Sequence, residues 1–129
     1  MPNKKILLVE DDFMNMRLAQ HILEREGYTV LKATTAHEAL AQIESTIPDL
    51  ILMDIQLPDM NGMTVVKILR ENAITRDIIV LALTACAMKG DREKMLHMGC
   101  NGYISKPIDV RGFIDTVRKL LSSKTETEK

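Results

Sequence analysis

The sequence predicts an α/β domain built on a parallel sheet with helices on both faces. Strand-like and helix-like segments alternate along all 129 residues. The runs at 6–9, 50–53 and 78–83 are apolar without interruption, as strands buried on both faces require. The intervening segments place apolar residues three and four apart, the spacing of a helix with one buried stripe. Right-handed crossovers then set helices on either side of the sheet.

After the strand at 6–9, the segment 13–26 puts Leu18, Ala19, Ile22 and Leu23 on one helical face, and Gly27 is placed to end it. Residues 28–33 are β-prone. Thr35-Ala36-His37-Glu38 matches a capping box and opens a helix with Ala36, Ala39, Leu40 and Ile43 inward. Pro48-Asp49 precedes the strand that ends at Asp54. Residues 56–62 read as a loop with Pro58 and an Asn61-Gly62 turn, followed by a helix with Val65, Val66 and Leu69 inward. The strand from Ile78 leads to Thr84. A helix near 88–98 has a thin apolar face, chiefly Met95 and Leu96. A weaker strand at 102–105 precedes a helix from about Asp109, with Val110, Phe113, Ile114, Val117, Leu120 and Leu121 on its apolar face. The period is five β-α units in one domain over 1–121, with a polar tail at 122–129 expected to fray.

Seventeen basic residues balance 18 acidic ones, and aromatics are 3%. Phosphate-backbone binding needs a basic surface and single-strand binding needs stacking rings, so nucleic acid is not the expected partner. The longest apolar stretch, 78–88, is shorter than the roughly 20 residues that span a bilayer. No signal-peptide pattern opens the chain. Cys86 and Cys100 form neither a CxxC pair nor a disulfide framework, and free thiols fit a cytoplasmic location. His21, His37 and His97 show no metal spacing and read as helix-surface residues. Most of the nine Met read as core filler.

Asp11, Asp54, Thr84 and Lys106 each follow the trailing end of a predicted strand, or close it. In a parallel sheet that edge is where ligands bind. Glu10, Asp11 and Asp12 follow the first strand. Carboxylates gathered there with Asp54 repel by roughly 4 kcal/mol per pair at about 4 Å and an effective dielectric of 20. Such a cluster wants a hard cation, and Mg²⁺ suits one or two carboxylates plus phosphate oxygens. Acids at strand ends also cap helices, and Asp12 is placed to cap the helix starting at Phe13. Asp54 interrupts a buried run, and a carboxylate can attack phosphorus to give an aspartyl phosphate. A Thr84 hydroxyl and a Lys106 ammonium would serve phosphoryl oxygens. Singly, Thr84 is a β-branched strand residue and Lys106 a surface lysine. Pro107 allows a cis bond that would aim Lys106.

Together these motifs resemble the receiver domain of bacterial two-component response regulators. The matching residues are Val9-Glu10-Asp11, Asp54 with Leu57-Pro58 and Gly62, Thr84-Ala85, and Tyr103-Ile104-Ser105-Lys106-Pro107. Asp54-Ile55-Gln56-Leu57-Pro58, Ala87-Met88-Lys89-Gly90-Asp91 and Gly99-Cys100 look like DivK-type single-domain regulators, and the Met-Lys-Gly-Asp pattern also occurs in receivers of hybrid histidine kinases. The resemblance implies a doubly wound, flavodoxin-like sheet of strand order 2-1-3-4-5. It implies Asp54 as phosphoacceptor, Mg²⁺ on Glu10, Asp11, Asp54 and the Gln56 backbone carbonyl, and Thr84 and Lys106 on the phosphoryl group. Tyr103 matches the family's switching aromatic, and the Lys106–Pro107 bond is expected cis. Gln56 and Cys86 occupy positions that tune phosphoryl lifetime in the family. Neither is an acid able to activate water, so a lifetime of minutes or longer is expected.

The expected partners are a histidine kinase or histidine phosphotransfer protein and a downstream protein target, met by a monomer. Met88, Met95, Met98 and Tyr103 are the expected partner surface. No output domain follows the last helix, which favours signalling by protein contacts. Alternatives are a receiver excised from a hybrid kinase and a scaffold that is never phosphorylated. A haloacid-dehalogenase-type phosphatase would carry a second acid two residues after its nucleophile, where this chain has Gln56. A flavodoxin-like cofactor module would need a phosphate cradle where this chain has acids. The expected protein is therefore not an enzyme beyond promoting its own phosphorylation and dephosphorylation.

Overall fold

The computed structural model describes residues 4–85 and 89–128, with side chains placed except at 89–92 and 123–128. The elements are β1 (Lys5–Val9), α1 (Phe13–Arg25), β2 (Thr29–Ala33), α2 (Ala36–Ser45), β3 (Leu50–Asp54), α3 (Gly62–Glu71), β4 (Ile79–Thr84), α4 (Lys89–His97), β5 (Gly102–Ser105) and α5 (Val110–Glu128). The sheet order is β2-β1-β3-β4-β5. Every pairing is parallel, so the doubly wound expectation holds.

The side chains of β1, β3 and β4 alternate between two apolar layers. Leu7, Val9, Ile51, Met53 and Val80 face α2 and α3, packing on Ala39, Ile43, Val65 and Leu69. Ile6, Leu8, Leu50, Leu52 and Leu81 face α1 and α5, packing on Ala19, Leu23, Phe113 and Val117. A fully buried aliphatic side chain stabilises by about 1.5–3 kcal/mol, so these central strands carry much of the fold. The edge strands contribute less, because β2 buries only Ala33 and β5 only Ile104.

Helix ends follow local chemistry. Thr35 accepts from the Glu38 N–H at 3.1 Å. Glu38 reaches back one residue further than a capping box would, accepting from the Thr34 N–H and hydroxyl. Gly27 has φ 92° and closes α1, with its N–H donating to Glu24 O and the Tyr28 N–H donating to Leu23 O. Gly99, at φ 116°, closes α4 in the same way, with Cys100 N–H donating to Met95 O. A side chain is strained at those angles, and glycine is not.

Several sequence expectations are corrected. Leu18 is exposed, and Met16 takes its place in the core, because one step around the helix turns the packed stripe toward β1. Val110 is exposed, whereas Leu40 packs against the core as expected, half-buried. Asp12 occupies the N-cap position of α1 without a side-chain hydrogen bond to it. Asn61-Gly62 is the start of α3 rather than a free turn, with Asn61 Oδ1 accepting from Met63 N at 2.8 Å. Backbone helix runs on past Leu121 to Glu128. Cys86 and Met88 lie outside the described residues.

Candidate functional site

Strand register assembles the site. Val9 lies opposite Met53, so Glu10 comes level with Asp54. Asp54 lies opposite Leu83 and Thr84 opposite Ser105, so Thr84 and Lys106 follow at the same edge. Glu10 is 0% exposed, Asp54 5% and Thr84 6%, while Asp11 is exposed. The Lys106–Pro107 peptide is cis, and the Lys106 N–H donates to Thr84 O at 2.8 Å.

Lys106 Nζ sits 2.8 Å from Glu10 Oε1 and 3.0 Å from Asp54 Oδ2. Asp54 Oδ1 accepts from the Gln56 N–H at 3.0 Å, and Glu10 Oε2 accepts from the Asp12 N–H at 3.2 Å. Burial, and then the neighbouring Asp54, push the Glu10 carboxyl up to about 7 against the pull of Lys106 and the Asp12 N–H. Burial alone would lower Lys106, but the Glu10 and Asp54 carboxylates outweigh it and hold the ammonium above its ordinary value. One cation thus serves two buried carboxylates, with a third beside them.

The donor set fits a divalent cation. One carboxylate oxygen from each of Glu10, Asp11 and Asp54 lies within 4.8 Å of the others. Glu10 Oε1 is fully buried, and the Lys106 ammonium lies 2.8 Å from it. Three carboxylates so close repel one another, and a hard cation among their oxygens would offset that repulsion.

The loop after Asp54 is held by features less visible in the sequence. The Gly62 N–H donates to Ile55 O at 2.7 Å. A Cβ on Gly62 would stand 2.6 Å from the Asp54 carbonyl oxygen and 2.9 Å from Ile55 Cα. Both are backbone, so Gly62→Ala must displace the segment that carries Asp54. We expect a loss of about 1–3 kcal/mol and, on the acceptor role proposed below for Asp54, at least a tenfold slower gain of phosphoryl groups, since small displacements of a reacting group are costly. Urea unfolding and the rate of mass gain with acetyl phosphate check both.

Asp59, from the same loop, accepts from the Ala36 and His37 N–H groups at 2.9 and 3.0 Å and pairs with the His37 ring. It binds the open N–H groups at the start of α2, where the helix dipole also favours an anion. The Ala36 N–H, joined by the His37 N–H and ring, outweighs the cost of desolvation and holds Asp59 down at about 2 from 3.8. The unfolded chain binds the proton more readily, so this contribution is full above about 3.8 and is lost as pH falls through about 2. Asp59→Asn should flatten that part of the acid-denaturation profile. An unchanged profile would contradict the assignment.

Of the expected partner surface, Met98 is exposed and Tyr103 half-buried against the α2–α3 layer. Met95 is corrected: it is 4% exposed and packs in the core, because it is the residue that seats α4 on the sheet. Met88 lies outside the described residues. Helix surfaces carry His21, His37 and His97, and His37 has the Asp59 role that its spacing did not suggest. Cys100 is a buried free thiol, pushed up to about 11 by burial.

The sequence matches the response regulator receiver domain model over residues 6–118. It is 45% identical to the polar-differentiation response regulator DivK of Brucella ovis over 118 residues, covering 92% of this chain and 96% of that protein. A response regulator from Chloroflexus aurantiacus superposes with a TM-score of 0.89 at 29% identity, covering 93% and 98% of the two chains. The receiver domain of a Pseudomonas aeruginosa sensor histidine kinase, solved with magnesium in its active-site cleft, superposes at 0.85 with 32% identity, covering 93% and 98%. With the motifs, the sheet order and these likenesses in agreement, the chain belongs to the response regulator receiver domain family of two-component signalling.

Proposed function

We propose that this chain is a DivK-like single-domain response regulator that accepts a phosphoryl group on Asp54 from a phosphohistidine donor. The observation that carries the reading is a buried Asp54 with Lys106 Nζ at 3.0 Å, beside two further carboxylates that complete a hard-cation site. Glu10, Asp11, Asp54 and the Gln56 backbone carbonyl would hold Mg²⁺. When bound, the ion supplies positive charge to the phosphoryl oxygens. An Asp54 carboxylate oxygen attacks phosphorus, the phosphorus–nitrogen bond to the donor histidine breaks, and its electron pair returns to the imidazole. The Thr84 hydroxyl and the Lys106 ammonium take up phosphoryl oxygens, a mostly electrostatic and positional contribution.

The added charge then draws Thr84 and Lys106 inward, Tyr103 turns, and the surface of α4, β5 and α5 changes. A histidine kinase or phosphotransfer protein is the proposed donor and a protein the proposed target. The reading has a cytoplasmic monomer that needs no nucleic acid or membrane and catalyses only its own phosphoryl gain and loss. Intact-mass spectrometry after acetyl phosphate and Mg²⁺ tests it. One added phosphoryl group, prevented by EDTA, is expected. No adduct from acetyl phosphate or from a phosphohistidine donor would favour a non-phosphorylated scaffold.

A further inference from the structure

A cavity of about 210 Å³ opens between the loop after β3 and helix α4, and Thr84 forms part of its wall. Gln56 and Asn61 line the loop side, while Met63 and Met95 make an apolar floor. Lys94 of α4 lines it as well, and among the described residues it is the only charged one that does. Gln56 is tied to the site, because its N–H donates to Asp54 Oδ1. Two of the cavity's lining residues, Gln56 and Thr84, thus belong to the surroundings of Asp54.

Lys94 is exposed, yet it follows Glu93 and precedes Met95, which anchors the helix in the core. That anchor fixes where Lys94 leaves the helix, along the cavity's lining. Among the residues whose side chains are described, no carboxylate forms an ion pair with it. A lysine with no ion-pair partner among the described side chains thus lines a space with room for several waters, close to the group that would become an acyl phosphate.

We propose that Lys94 is a positioning residue that governs how long the Asp54 phosphoryl group survives. The inference rests on Asp54 being the acceptor. Hydrolysis forms a bond from a water oxygen to phosphorus and breaks the bond from phosphorus to the Asp54 carboxylate oxygen. The electron pair returns to that carboxylate, and both water protons leave with the phosphate as dihydrogen phosphate. With Asp54 phosphorylated, the new negative charge attracts the Lys94 ammonium across the cavity. The long side chain then occupies space that water would otherwise fill beside Gln56 and Thr84. Truncation reopens that space, and reversal of charge repels the side chain from it.

The test is the decay of the adduct, followed by intact mass after removing acetyl phosphate, for wild type, Lys94→Ala, Lys94→Glu and Lys94→Arg. Lys94→Ala should shorten the half-life by about fivefold, the upper worth of a partly screened charge pair. Lys94→Glu should shorten it further, and Lys94→Arg should stay within about twofold of wild type, since charge and reach are kept. Equal melting temperatures for the variants establish that they fold alike. An adduct that decays equally fast in all four proteins, or more slowly in Lys94→Ala or Lys94→Glu, overturns the role of Lys94 alone. Absence of any adduct on the wild type overturns the acceptor reading beneath it.

Discussion

Asp54→Ala will gain no phosphoryl group from acetyl phosphate, and without Mg²⁺ it will be at least as stable as the wild type. The first half follows from chemistry, since alanine offers no nucleophile. The second follows from crowding. Asp54 shares a small volume with Glu10 and Asp11, and a like-charge pair at about 4 Å costs roughly 4 kcal/mol at an effective dielectric of 20. Lys106 offsets part of that cost, but it also touches Glu10, so removing Asp54 leaves the ammonium a partner. Added Mg²⁺ reverses the order. Ligand at about 100 times its dissociation constant stabilises the folded state by about 2.7 kcal/mol, and the variant lacks one of the carboxylates that would hold the ion. Thermal unfolding with and without Mg²⁺, beside intact mass, reads every part. A phosphoryl adduct on Asp54→Ala would move the acceptor elsewhere. A clearly lower melting temperature without Mg²⁺ would mean that the Lys106–Asp54 pair outweighs the repulsion.

Arg70→Ala should cost about 3 kcal/mol without touching the site. Arg70 leaves the last turn of α3. Its Nε and Nη2 donate to Gly99 O at 3.0 and 2.7 Å, Nη1 to Arg76 O and Ile78 O at 2.8 and 2.7 Å, and Nη2 also to Asn101 Oδ1 at 3.0 Å. Asn101 Oδ1 in turn accepts from the Val80 N–H at 2.8 Å. One guanidinium thus joins α3, the start of β4 and the end of α4. The contacts at Gly99 and Ile78 are partly buried, and each acceptor left open there costs about 1–3 kcal/mol. Arg70→Lys should recover less than half of the loss, because an ammonium cannot reproduce a planar fork. Guanidinium or urea denaturation measures both variants. A loss below about 1 kcal/mol for Arg70→Ala would mean that water replaces the guanidinium at these carbonyls.

The sheet and its acid edge were legible because they rest on composition and spacing. Uninterrupted runs such as Leu50-Ile51-Leu52-Met53 admit few placements other than a strand buried on both faces, and the residue after each run then falls at one edge. Arg70 and Asp59 were not legible in this way. Each acts on backbone groups brought near by the fold, and a sequence does not reveal which carbonyls or N–H groups will stand open. Met95 was misplaced for a related reason. On a helix with few apolar residues, periodicity does not distinguish the one that seats the helix from those left outside. The turn expected at Asn61-Gly62 failed because Asn also caps helices, and the close approach of Gly62 to the Asp54 backbone depends on tertiary geometry.

The register of the sheet also constrains how the chain reaches this structure. Among the described residues no two strands of the sheet are joined by a hairpin. Lys5 pairs with Thr29, Leu7 with Ile51, Leu50 with Ile79 and Leu81 with Gly102, so even the nearest partners are a whole helical crossover apart. Closing such loops costs entropy before any strand contact repays it, and topologies of this kind fold more slowly than helical bundles of similar size. β1 is flanked by both β2 and β3, which makes it the template on which the first pairings can form. Its pairing with β2 needs only the first quarter of the chain, so a nascent polypeptide can begin its sheet before the segment bearing Asp54 has been synthesised.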